Sequence, residues 1–109
     1  KDTLANKGDL VKRFMKASTM AFEAAEKDPE AAVDAMLKSN AKAGKRDTLV
    51  TGLKLTTPLY HTAETRDKRP FRASMKDVNE TLDMLVQYGG LDAGARGKAE
   101  DWFTVDYLP

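Results

Sequence analysis

The feature that most constrains the fold is a long amphipathic stretch that an Asp-Pro pair stops abruptly. Between Asn6 and Lys27 apolar residues recur every three to four positions on two adjacent stripes. The stripes are Leu10, Phe14, Ala17, Ala21 and Ala25, and beside them Val11, Met15, Ser18 and Phe22. This spacing predicts a helix of about six turns with a broad buried face. We expect Asn6 to cap it, with Asp9 in the first turn, where the helix dipole favours an anion.

Two more helices follow. In "KDPEAAVDAMLKSN", Asp28 is the predicted N-cap and Pro29 occupies the first helical position, so that a second helix runs to about Ser39–Asn40. In "KAGKRDTLVTGLKLTTPLYHT", apolar residues share a stripe despite several threonines, which indicates a third helix that Pro58 kinks or ends.

The fourth helix has the clearest boundaries. "SMKDVNETLDMLVQYGG" begins with Ser74 and Asp77 in a capping-box arrangement, and Gly89 and Gly90 supply a left-handed stop. The segment His61–Ala73 before it is polar and without period, which predicts a loop long enough to be functional. The fold class is therefore mainly α, with about four helices and a C-terminal tail in one segment, 1–109.

The tail "EDWFTVDYLP" is unusually aromatic for the end of a chain. It contains the only tryptophan, Trp102, together with Phe103, Tyr107 and Leu108. Aromatic side chains are large burial units, so we expect the tail to be packed against another surface.

Composition excludes several classes of protein. The 18 basic and 17 acidic residues nearly balance, which argues against a chain built to coat nucleic acid or an anionic membrane. No apolar run approaches the ~20 residues of a membrane span. The absence of cysteine excludes disulfides, thiolate metal sites and cysteine nucleophiles. The chain begins at Lys1 rather than Met, and we expect that an N-terminal part is missing.

Residue chemistry gives no support for an enzyme. His61 is the only histidine and has no cysteine or paired carboxylates in metal-ligand spacing, so we assign it a loop or surface role. The neighbouring acidic residues are interpreted as helix-end and solvent-facing groups rather than an acid–base pair: Glu23, Glu26, Asp28, Glu30 and Asp34. We therefore predict no catalytic residues, no metal ligands and no cofactor, and the substrate-binding residues are unknown.

Two basic clusters leave one alternative open. They consist of Lys42, Lys45 and Arg46, and of Arg66, Lys68, Arg69 and Arg72. The second cluster is interleaved with Phe71, and basic residues next to an aromatic one are typical of nucleic-acid contacts. Asp47, Glu64 and Asp67 dilute both clusters, so solvated loops are the simpler interpretation. Arg66 and Arg72 are the first residues to test for an anionic contact.

Three blocks of the sequence, taken in order, resemble a known family. They are "ANKGDLVKRFMKASTMAFEAAEKDPEAAVDAML", "TAETRDKRPFRASMKDVNETLDMLVQYGGLD" and "DWFTVDYLP". Together they resemble the C-terminal portion of the periplasmic substrate-binding proteins that serve ABC importers of nitrate, sulfonate, taurine and thiamine-pyrimidine-like compounds. Lys7 stands where proline is common in that family, and the loop over 67–72 is more basic than usual.

The resemblance implies a type II periplasmic binding fold of which this chain is the C-terminal helical part. It implies reversible capture of a small solute between two lobes and delivery to an ABC permease, in a periplasmic or extracytoplasmic location. It also implies that the aromatic tail packs on the parent lobe. Without that lobe we expect the isolated segment to form a homodimer or higher oligomer.

Two other functions remain open. One is a free-standing helical protein-interaction module that docks through the tail and one helix face. The other is a nucleic-acid-binding helical domain, for which binding would depend steeply on salt concentration.

Overall fold

The computed structural model describes residues 2–109, and these residues are organised as helices joined by loops, with no β-strand among them. The helices in chain order are α1 (Asp2–Asn6), α2 (Gly8–Lys27), α3 (Pro29–Ser39), α4 (Arg46–Thr56), α5 (Met75–Tyr88) and α6 (Ala99–Trp102). Short 3-10 turns occupy Thr57–Leu59 and Ala93–Ala95. The predicted mainly α class is confirmed.

The first predicted helix corresponds to α2, and a short helix that the sequence pattern did not predict, α1, precedes it. The backbone leaves the helical region at Lys7 (φ −134°, ψ 31°), so α1 ends at Asn6 and α2 begins at Gly8. Backbone bonds from the Lys7 N–H to the Thr3 carbonyl and from the Val11 N–H to the Lys7 carbonyl bridge the break. The assignment of Asn6 as N-cap is therefore wrong, because Lys7 occupies that position and makes no side-chain cap bond.

The corner between α2 and α3 forms as predicted. The Asp28 carboxylate accepts the N–H of Ala31 at 3.0 Å, and Pro29 takes the first position of α3. This cap satisfies one of the free N–H groups at the start of the helix. Helix α3 then ends at Ser39, within the predicted range.

The later helix boundaries follow proline, serine and glycine. Helix α4 is shorter than the pattern predicted and passes into the 3-10 turn that contains Pro58, as expected of a residue without an N–H. The Ser74 hydroxyl accepts the Asp77 N–H at 3.0 Å to start α5. Gly90, with φ 76°, turns the chain into the left-handed conformation that ends α5.

Helix packing is sequential along the chain. Helix α2 packs on α3, α3 packs on α4, and α5 packs on the short α6. Few side chains of residues 2–109 are buried: Thr19, Val33, Val50, Thr65, Pro70, Leu82 and Ala99. The hydrophobic core of the described residues is correspondingly small.

The buried side of α2 differs from the prediction. Val11, Met15 and Phe22 are half-buried, whereas Leu10 and Phe14 on the neighbouring stripe are 52% and 66% exposed. The predicted broad buried face is therefore wrong for the stripe that starts at Leu10. The helices present in this chain cover only one of the two apolar stripes.

The accessible surface is large for the length of the chain. It measures 8159 Å², about 2,000 Å² more than the roughly 6,000 Å² that a folded monomer of this size exposes. The radius of gyration is 16.8 Å, against roughly 13 Å for a domain of this length. The helices form an open arrangement with unfilled apolar faces.

The capping assignments lead to a first prediction. Asp28→Ala should lower the free energy of unfolding by about 1 kcal/mol, because α3 loses its N-cap acceptor. Asn6→Ala is the matched control and should change stability by less than ~0.5 kcal/mol, since Asn6 caps no helix. Urea denaturation of both variants measures the difference. An equal loss in the two variants would contradict the assigned caps.

Candidate functional site

The loop between α4 and α5 is tied to α2 by an aromatic cluster. The ring of Phe22 lies 4.9 Å from the ring of Tyr60 and 4.6 Å from that of Phe71, measured between centroids. Phe71 adopts φ 66°, a left-handed conformation that is uncommon for a residue with a bulky side chain. The loop is therefore held in a defined shape at the point where it contacts α2.

A buried threonine organises the same loop from inside. The Oγ1 of Thr65, a residue only 1% exposed, accepts the N–H of Thr62 at 2.9 Å. The Thr62 hydroxyl in turn donates to the Asp77 carboxylate at 2.8 Å, which links the loop to the first turn of α5. The prediction of a loop is confirmed for this segment.

His61 links the loop to α2 through its two ring nitrogens. Its Nδ1 lies 3.0 Å from the Thr65 carbonyl, and its Nε2 lies 2.7 Å from the Glu26 carboxylate. A carbonyl oxygen only accepts, so Nδ1 is the donor in the contact with Thr65. The structure thus gives His61 a structural position on the loop, with Glu26 as its partner.

Three of the acidic residues singled out in the sequence, Glu23, Glu30 and Asp34, each face a lysine or an arginine. Arg69 donates from two nitrogens to Glu23, at 2.6 and 3.1 Å, and Arg46 does the same to Asp34 at 2.6 and 3.0 Å. Glu30 accepts from Lys54 at 3.1 Å. These contacts join neighbouring elements, and they give the carboxylates structural partners.

The basic clusters are divided by these contacts. Arg46 and Arg69 are engaged by carboxylates, and Arg72 donates to the Pro109 carbonyl oxygen at 2.6 Å. Arg66 and Lys68 are exposed on the loop. Arg69 and Arg72 of the second basic cluster therefore hold the loop to α2 and to the tail.

No metal or membrane site is found in the described part of the chain. Among residues 2–109 no three or more histidine, cysteine or acidic side chains are grouped so that they could hold a metal ion. None of the helices described over the same range is both long and apolar enough to cross a bilayer.

The strongest surface features are two apolar grooves. The first, of about 430 Å³, lies between α2, α3 and α4 and is lined by residues that include Ala21, Ala25, Ala32, Met36 and Leu53. The second groove, of about 480 Å³, lies between α1, the N-terminal half of α2 and the tail. It is lined by residues that include Leu4, Met15, Phe103, Tyr107 and Leu108. Apolar grooves of this size are common binding surfaces.

The first groove continues into the exposed stripe of α2. Leu10, Phe14, Ala17 and Ala21, here called the outer face of α2, are all exposed, and Ala21 also lines the groove. An apolar surface therefore extends along this stripe from the first turn of α2 into the groove, and the stripe contains no charged residue. The sequence signal was present in the two adjacent stripes, but we had expected both to be buried.

A second apolar surface lies on α5 and α6. Met84, Leu85, Tyr88 and Trp102 are exposed, Tyr88 by 78% and Trp102 by 58%. The indole Nε1 of Trp102 donates to the Arg96 carbonyl at 2.7 Å, so its polar edge is satisfied while its ring faces out. Met84 and Tyr88 were not singled out from the sequence.

The tail packs on the chain itself. The Tyr107 hydroxyl donates to the Leu4 carbonyl at 3.3 Å, and Phe103, Tyr107 and Leu108 are half-buried in the second groove. The expectation that the tail is packed against another surface is thus met in part by α1 and α2. Of the four large tail residues that the sequence analysis named, Trp102 is the one that remains exposed.

Comparison with known proteins found no matching family model, curated protein or solved structure.

The buried threonine of the loop yields a second prediction. Thr65→Val keeps the side-chain volume but leaves the Thr62 N–H without its acceptor, which should cost about 1–3 kcal/mol of unfolding free energy. Arg66→Ala, one position along on the exposed side, should cost less than ~0.5 kcal/mol. Thermal unfolding compares the two. A stable Thr65→Val protein would show that the loop is held from elsewhere.

The ion pairs yield a third prediction, for pH. Hydrogen bonds from Arg69 lower the pKa of Glu23, and those from Arg46 lower the pKa of Asp34. Lys54, followed by Arg46, lowers the pKa of Glu30. The unfolded chain therefore binds protons more readily than the folded one. Stability from these groups is complete above the ordinary carboxylate value of about 4 and is lost as the pH falls through the lower folded values.

The Tm should accordingly fall as the pH is lowered from about 5 to about 3. Arg69→Gln should flatten part of this dependence, because Glu23 then titrates near its ordinary value. Scanning calorimetry over this range measures both slopes. A Tm that rises on acidification would contradict the assigned ion pairs.

Proposed function

We propose that this chain is the C-terminal helical segment of a two-lobed solute-binding protein, which captures a small organic or anionic solute and delivers it to an ABC permease. The proposal assigns it a periplasmic or extracytoplasmic location and no bond-making step. Support comes from the collinear resemblance of three sequence blocks and from the helical character of residues 2–109.

The observation that carries the proposal is the excess of accessible surface, part of which is contributed by large apolar side chains. A chain that exposes about 2,000 Å² more than a compact monomer of its size is suited to packing against a further surface. The apolar patch on α5 and α6 is one such surface, with Tyr88 and Trp102 standing out from it. Patches of this kind are usually covered in the working protein.

The binding mechanism belongs to the whole protein rather than to this segment. A solute site needs a concave region that excludes water and offers a few fixed polar groups, and lobes that close about a hinge supply it. In this proposal the segment stabilises one lobe, and its ion pairs hold the loop His61–Ala73 against α2. No binding residue is assigned to it.

A second candidate function has its own support. The tail is anchored on this chain through the bonds from Tyr107 to the Leu4 carbonyl and from Arg72 to the Pro109 carbonyl. A segment whose tail packs on its own helices is suited to be a free-standing helical interaction module. That module would bind protein partners through the apolar patch on α5 and α6.

A solute titration separates the two functions and forms the fourth prediction. Residues 1–109 alone should bind sulfonates, nitrate and pyrimidines no more tightly than about 1 mM, because they cannot form a two-lobed cleft. A longer polypeptide encoded by the same reading frame should gain Tm with one of these solutes, since a ligand that binds only the folded state stabilises it. Submicromolar binding by residues 1–109, or a reading frame that begins near Lys1, would contradict the transporter proposal.

A further inference from the structure

The outer face of α2 has an unequal distribution of side-chain size. Its N-terminal half carries Leu10 and Phe14, and its C-terminal half carries Ala17 and Ala21. All four are exposed, and the groove of about 430 Å³ opens beside the alanine half. The face therefore has a protruding half and a recessed half on one helix.

Such a face is complementary to itself when two copies meet antiparallel. An axis near Ala17 and Ser18 brings Phe14 of one copy opposite Ala21 of the other, and Leu10 opposite Ala25. Large side chains then meet small ones on both sides of the axis, which is the arrangement that fills space between packed helices. A two-fold axis makes the same contact twice, because an isologous interface uses one patch on both copies.

The groove extends this fit beyond the helix pair. Ala21 and Ala25 form one wall of the groove, and Ala32 and Met36 of α3 lie on the other side. A Phe14 ring placed at Ala21 of the other copy lies at the mouth of this groove. Each copy thus offers both the projecting ring and the recess that receives it.

Two charged residues at the edge of the outer face are placed so that they would attract each other across the same antiparallel arrangement. Asp9 and Lys27 are separated by 18 positions, about five helical turns, so they project from the same side of α2. Both are exposed, and neither pairs with an opposite charge within the described chain. In the antiparallel arrangement Asp9 of one copy lies opposite Lys27 of the other, at both ends.

The chain as a whole has enough excess surface to include a dimer interface. A specific interface covers about 800 Å² on each partner, and the excess surface of this chain is about 2,000 Å². A dimer through one helix face would use part of that excess. The patch on α5 and α6 remains for another contact.

We propose that this chain forms a symmetric homodimer through the outer face of α2, with the two α2 helices antiparallel and Phe14 of each copy seated against Ala21 of the other. This interface is separate from the patch on α5 and α6 and goes beyond solute transport. Its occupant is a second copy, because the face is complementary to itself in size and in charge.

Light scattering during gel filtration is the first test. The wild-type chain should elute at twice its 12.0 kDa mass at micromolar concentration. Phe14→Glu should weaken dimerisation at least ~100-fold, because a charge replaces the ring in both copies of the contact. Leu59→Glu is the matched control: Leu59 is 78% exposed but lies outside α2, and the variant should remain dimeric.

A charge exchange tests the register itself. Asp9→Lys and Lys27→Asp should each weaken the dimer by bringing like charges together, and the double variant should recover most of the affinity. Circular dichroism confirms that each variant keeps its helices. If the losses of dimer affinity in the two single variants simply add in the double variant, and the affinity is not restored, the antiparallel register is wrong.

Disulfide trapping can locate the two-fold axis of the dimer. The chain contains no cysteine, so an introduced cysteine can form a disulfide only with the same residue of a second copy. Ala17→Cys should cross-link to its own copy under mild oxidant, and Lys12→Cys on another side of α2 should not. A monomeric wild-type chain, or a dimer that Phe14→Glu leaves intact and Tyr88→Glu dissociates, would overturn the proposal.

Discussion

The contact between the C-terminal half of α2 and the loop that follows α4 holds the structure together. Phe22 packs between Tyr60 and Phe71, Glu26 binds His61, and Glu23 binds the loop at Arg69. These contacts join residues about 35 to 50 positions apart, whereas most helix packing here is between neighbours in sequence. Together with the packing of the tail on α1 and α2, they connect the C-terminal part of the chain to the first three long helices.

This anchoring explains why α2 has two different apolar sides. Its inner side is committed to the loop, to α3 and to the tail, through half-buried residues such as Val11, Met15 and Phe22. Its outer face has no partner within the described chain, although it carries Leu10 and Phe14. Burial of apolar area is the main favourable contribution to folding, so a thin interior leaves this chain dependent on additional contacts.

Local signals predicted the helices well, and tertiary contacts limited the rest. Asp28, Pro29, Ser74 and Gly90 act within one turn of their own position, so their roles could be read from the sequence. The exposure of Phe14 could not, because periodicity shows which residues share a side and not whether another element covers it. The partner of His61 lies 35 positions away, and a single sequence carries no signal for such a pair.

The central claim is that the fold is completed by a surface outside the single chain. The most direct measurement is the Tm of residues 1–109 as a function of protein concentration, from low to high micromolar. Association stabilises the folded state by mass action, so the account predicts a Tm that rises with concentration, and Phe14→Glu should reduce the rise. A sharp, cooperative transition whose Tm is the same at every concentration would show that the chain is self-sufficient and would contradict the account.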